Sequence, residues 1–109
     1  MRVPVWVIRE KFNKGGYEQQ VASGELTTML LADTHPSPPR APEPICTRSQ
    51  EIGYFDNDRR KIAQVHQYLR PDGTLGASGM PDPKRLKEGD VLYIADPDEE
   101  LYPPSQSKA

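Results

Sequence analysis

Twelve prolines and eight glycines punctuate a chain of 109 residues, and no other feature limits its folding as much. Proline fixes φ and removes a backbone donor, and glycine costs conformational entropy inside helices and strands. Long helices are therefore disfavoured, and the chain must build from short pieces joined by turns. A single domain is expected at this length. Its core must be lean, because hydrophobic residues make up only 35% of the chain and mean hydropathy is −0.77. These limits point to an α+β domain with a small antiparallel β-sheet.

The prolines also divide the chain. Five of them fall between His35 and Pro44, so this stretch can neither pair in a sheet nor close helical hydrogen bonds. It reads as a linker between an N-terminal segment, residues 1–34, and an α+β core over residues 45–96. Pro36 and Pro39, and Pro39 and Pro42, have PxxP ligand spacing, but a spacer role explains the composition as well. Residues 97–109 are acidic and proline-bearing and read as a disordered tail.

Within the first segment, Val3–Ile8 (VPVWVI) is β-branched and aromatic and predicts a strand. Asn13–Gly16 is turn chemistry, and Tyr17–Ala22 a possible returning strand. Residues 25–32 (ELTTMLLA) lean toward a short helix capped by Ser23, with Leu26, Met29 and Leu30 on one face. Whether this segment joins the core sheet stays open at this level.

The core predicts the order ββαβ over residues 52–95. Ile52–Phe55 is a strand, Asp56–Asp58 a turn, and Lys61–Arg70 a long strand. Arg70-Pro71-Asp72-Gly73 is a strong turn signal, and Thr74–Ser78 returns. That register sets Arg70 against Thr74, Leu69 against Leu75, Tyr68 against Gly76 and His66 against Ser78. Asp82-Pro83 suggests an N-cap and first helical residue, giving a short helix before Gly89. Asp90–Ala95 (DVLYIA) is a near-continuous apolar run and predicts a last, central strand.

Charge is uneven although the net is −2. Residues 48–87 hold eight basic and five acidic side chains, and residues 88–109 hold one and six. The chain as a whole is thus a poor non-specific nucleic-acid binder, but its central part is mildly basic. With Cys46 as the only cysteine, no internal disulfide can form and a reducing compartment is expected. Val3–Ile8 is too short for a signal core or a membrane span. Together these indicate a cytoplasmic protein with no membrane partner.

Side chains alternate along Lys61–Arg70. Ala63, Val65 and Leu69 suit a core face, which leaves His66, Tyr68 and Arg70 outward beside Gly76 and Ser78, with Lys84 and Arg85 close in sequence. The plainest reading is a solvated sheet surface with His66 bonded to Ser78. Tyr68 and Arg70 are also residue types that anchor protein interfaces. Arg70, Lys84 and Arg85 could instead meet phosphates while Tyr68 stacks on a base. A third reading is metal-independent RNA cleavage. His66 is then the general acid or base and Tyr68 a proton donor, while Arg70 and Lys84 stabilise the anionic transition state. The partner-binding set is thus His66, Tyr68, Arg70, Gly76, Ser78, Lys84 and Arg85. The first choice is a non-enzymatic binding module for a protein or nucleic acid, and the alternative is a ribonuclease-like enzyme. A homodimer is left open.

Other sites fail on spacing. His35, Cys46 and His66 lie too far apart to signal a metal site. Asp56-x-Asp58 lacks the glycine and glutamate of a calcium loop. Asp72 is accounted for by its turn rather than by a triad with His66 and Ser78. Gly76–Gly79 (GASG) has no lysine after it, as a phosphate loop would need. No cofactor is implied.

Residues 65–86, VHQYLRPDGTLGASGMPDPKRL, combine H-x-Y with D-G-T-x-G-A-S-G and P-D-P-K. In this segment the chain resembles small uncharacterised bacterial proteins. The resemblance implies a recurring structural unit and carries no activity with it.

Overall fold

The structure, a computed structural model, describes residues 1–34, 43–76 and 79–96. Six strands and two helices follow in the order β1 (Arg2–Pro4), α1 (Val5–Lys14), α2 (Tyr17–Ser23), β2 (Thr27–Thr34), β3 (Arg48–Phe55), β4 (Lys61–Leu69), β5 (Asp82–Glu88) and β6 (Val91–Asp96). The strands form one sheet in the order β1-β6-β5-β4-β3-β2. β1 runs parallel to β6 and every other pair is antiparallel. The fold is α+β as expected, but the sheet is mixed and larger than expected. Residues 1–34 supply both of its edges and both helices. Most of the proline stretch (35–42), Ala77, Ser78 and the acidic tail (97–109) lie outside the described residues.

The N-terminal strand expected at Val3–Ile8 ends at Pro4, and the chain turns helical at Val5. Apolar periodicity explains the difference. Val5, Ile8 and Phe12 fall on one helical face, and all three are buried. Lys11 and Lys14 in the last turn favour the carboxyl end of the helix dipole. Tyr17–Ser23 is likewise helix rather than strand. It is entered through Gly16 at φ 70° and left through Gly24 at φ 86°, left-handed conformations that glycine adopts without steric cost. Residues 25–32, expected to lean helical, instead run into β2, which pairs along β3 from Thr27 to Thr34. Their two threonines and aliphatic run suit an extended partner better than one more isolated helical turn.

The short helix expected after Asp82 is strand β5, so no helix interrupts the core. Seven residues with a single large apolar side chain, Leu86, have too little to bury as a helix. As a strand they are paired on both sides, by β4 and β6. Pro83 lies at a register shift in the β4 ladder, where a missing donor is tolerated. The returning strand expected over Thr74–Ser78 reduces, among the described residues, to one bridge between Leu69 and Leu75. Arg70 N donates to Thr74 O and Gly76 N to Tyr68 O, and the partner of β4 on this side is then β5.

One face of the sheet is covered by the helices. Ile8, Phe12, Tyr17 and Leu26 meet Tyr54, Ala63, Val65 and Leu86, with Val3 at the side. Phe12 stacks on Tyr17 at 5.2 Å and meets Tyr54 edge-on at 5.6 Å. Among the described residues, no helix lies over the opposite face.

Candidate functional site

The uncovered face is organised by the middle of β4. Ala63 and Val65 are buried beneath the helices, so strand alternation turns Gln64, His66 and Tyr68 the other way. The cross-strand register places Glu51 of β3 on one side of His66 and Asp82 of β5 on the other. Ser49 stands opposite Tyr68. Three strands therefore bring a serine, two carboxylates, a histidine and a tyrosine together.

His66 Nε2 shares a 2.7 Å hydrogen bond with Ser49 Oγ. The rings of His66 and Tyr68 meet edge to face, with centroids 4.7 Å apart. Gln64 Nε2 donates to Glu51 Oε2 at 2.9 Å, and Lys61 Nζ donates to Gln64 Oε1 at 2.7 Å, so this carboxylate belongs to a polar chain along the sheet. Asp82 receives two cations. Arg9 Nε donates to its Oδ1 at 3.0 Å, and Lys84 Nζ to its Oδ2 at 2.9 Å. Burial raises the Asp82 carboxyl pKa, but Lys84 and Arg9 outweigh burial and hold it below its ordinary value.

Two adjoining hollows share His66, Tyr68 and Asp82. One, of about 140 Å³, also touches Arg9, Gly76 and Met80. The other, of about 270 Å³, also touches Glu51 and Lys84. A larger groove of about 440 Å³ lies elsewhere, along α1 between Trp6, Val7, Lys11 and Glu88. Its lysines are already paired, Lys11 with Glu88 at 3.0 Å and Lys14 with Glu10 at 2.8 Å, and no histidine, serine or tyrosine lines it. The smaller hollows are thus where the chemically versatile side chains converge. Among the described residues, no three His, Cys, Asp or Glu side chains are grouped closely enough to hold a metal ion.

The residues anticipated from sequence divide sharply. His66, Tyr68 and Lys84 meet at the hollows. Arg70 does not, because it is committed to Glu43. Its Nε donates to Oε2 at 2.9 Å and its Nη2 to Oε1 at 3.3 Å, and the Glu43 side chain is only 7% exposed. Gly76 belongs to the same clamp. A Cβ there would come within 2.5 Å of Glu43 Oε2, so the missing side chain makes room for that carboxylate as well as for the hollow it borders. Arg85 lies further along, opposite Gln64 and Ile94, and is exposed. Ser78 lies outside the described residues, and the hydroxyl seen bonded to His66 is that of Ser49.

Four contributors escaped the sequence reading: Arg9, Ser49, Glu51 and Asp82. Ser49 and Glu51 were within reach, since they continue the alternation of β3 backward from Gly53. Asp82 reads locally as a helix cap, and Arg9 needs a helix where the composition suggests a strand.

No family model matches the chain, and no curated protein or solved structure does either.

Proposed function

We propose that the chain is a non-enzymatic binding module that docks a polypeptide partner on the His66–Tyr68 face. The supporting observation is the balance of charge around that aromatic pair. The nearest cations, Arg9 and Lys84, are both shared with Asp82, Glu51 adds a second carboxylate, and Arg70 is spent on Glu43. Such a rim is a weak phosphate cradle, because its positive charge is already answered. It suits a partner offering both hydrogen-bond donors and acceptors around one inserted side chain, with Tyr68 as the anchor. Within this reading the proline-rich stretch 35–44 is a spacer. The reading includes a cytoplasmic location, which fits a chain whose single cysteine, Cys46, can form no internal disulfide.

The test is affinity capture with the wild-type protein and with His66→Ala/Tyr68→Ala. A partner held by the wild type and lost by the double variant supports the reading, and identical recoveries from both overturn it. Retention that collapses as salt rises would point to nucleic acid instead.

A second reading has one specific support. Glu51 and His66 are direct cross-strand neighbours, a carboxylate and an imidazole roughly 4.5–5.5 Å apart at Cβ. Such a pair can serve as base and acid in metal-independent RNA cleavage. Cleavage in EDTA that disappears in both His66→Ala and Glu51→Gln would establish it. An absence of cleavage from pH 5 to 9 would remove it.

A further inference from the structure

The geometry points to β2 as a self-association edge, at which two copies of this chain pair antiparallel to extend the sheet. Among the described residues β2 is a terminal strand of the sheet, bonded only to β3, and all eight of its residues are exposed. An edge strand presents a row of backbone donors and acceptors that another strand can complete. Natural edges are usually blunted by lysine, proline, short length or a bulge. Thr27–Thr34 contains neither lysine nor proline, and its protective devices are a register shift at Leu31 and the single charge of Asp33. It also carries Met29, Leu30 and Leu31 in succession, 59%, 49% and 39% exposed.

The strand's own pattern favours a second copy as occupant. An antiparallel two-fold about Leu30 sets Leu30 on Leu30, Met29 against Leu31, Thr28 against Ala32 and Thr27 against Asp33. Apolar residues meet in the middle, and no like charges meet. The only charge on the strand, Asp33, is already paired with Arg48 Nη1 at 2.8 Å. Segments of the chain itself suit the edge less well. Residues 35–42 include Pro36, Pro38, Pro39 and Pro42 and lack the donors for a ladder. The tail carries Asp98, Glu99 and Glu100, whereas Arg48 beside this edge is already paired with Asp33. A two-fold axis normal to the sheet keeps both helix layers on one side and both His66 hollows on the other. Those hollows are then five strand spacings apart, roughly 24 Å, so the dimer offers two equivalent sites on one continuous face.

Sedimentation velocity on the full chain, at concentrations up to about 1 mM, tests this, a range in which even a weak contact becomes visible. The wild type is expected to approach twice the 12.3 kDa chain mass. Leu30→Lys and Met29→Lys are expected to halve that mass with unchanged circular dichroism and melting temperature. Leu92→Lys, at an exposed position on β6 (43%), is expected to leave the dimer intact. A wild type that stays monomeric throughout overturns the inference, as does a dimer that survives both β2 substitutions.

Discussion

The two edges of the sheet are finished in opposite ways. β1 is three residues long, ends in Pro4 and leads directly into α1. Val3 and Val5 are buried there, the terminal amine of Met1 donates to Leu92 O at 2.7 Å, and Ile94 N donates to Met1 O at 2.9 Å. β2 is eight residues long, exposed throughout and supported chiefly by β3. The contrast follows from the reach of the helix layer. α1 has ten residues and is roughly 15 Å long, against roughly 24 Å across the six strands. It lies over β1, β5 and β6, and the short α2 carries the cover only as far as Tyr54 on β3. Gly15, Gly16 and Gly24 divide the helical region into two short pieces, which do not roof all six strands, and one edge stays open.

This contrast can be broken at the helix first. Ile8 is fully buried, and Ile8→Ala should cost about 2–5 kcal/mol in urea unfolding. Amide protection should fall most along β1 and β6. Equal loss along β2 would mean that the two halves are not distinct. A smaller effect is expected where the helix layer ends. Tyr54 Oη donates to Glu18 Oε1, and burial first, then this bond, pushes its phenol pKa well up. Tyr54→Phe keeps the buried ring and should lose about 0.5–1.5 kcal/mol.

Acid should act on the closed half through Asp82, which fastens Arg9 of α1 to β5. Its pKa is lowered on folding, so its contribution is present above the ordinary value of 3.8 and is lost as pH falls through the lower folded value. The partial exposure of the pair limits this to under about 1 kcal/mol. Asp82→Asn should remove that part of the acid transition when melting temperature is followed against pH. The smallest effect belongs to the open edge. Met29→Ala should change the stability of the monomer by less than about 0.5 kcal/mol. A loss several times larger would show that β2 is packed after all and would remove the contrast.

Much of the central hairpin region was legible because its signals are local. Strand alternation separated Ala63 and Val65 from His66 and Tyr68, and Pro71-Asp72-Gly73 marked the turn. The N-terminal third is misleading because VPVWVI has β-favouring composition, while its helical spacing becomes visible only when Phe12 is counted with Val5 and Ile8. Asp82-Pro83 imitated a helix start because local cap chemistry says nothing about strands waiting on either side. The candidate site was half legible. His66 and Tyr68 follow from one strand, but Arg70 could not be assigned without Glu43, which lies 27 positions away along the chain on the far side of β3.

By itself the sequence determined the short elements, the lean core, the inward and outward faces of β4 and the turn that follows it. These depend on backbone sterics and side-chain period, which act over a few residues. Tertiary structure decided which neighbours those faces meet: Ser49 and Glu51 beside His66, Asp82 held between Arg9 and Lys84, Arg70 withdrawn to Glu43, and β2 left as the bare edge. Those outcomes depend on strand register and on the reach of α1, and both are fixed only when distant segments compete for the same partners.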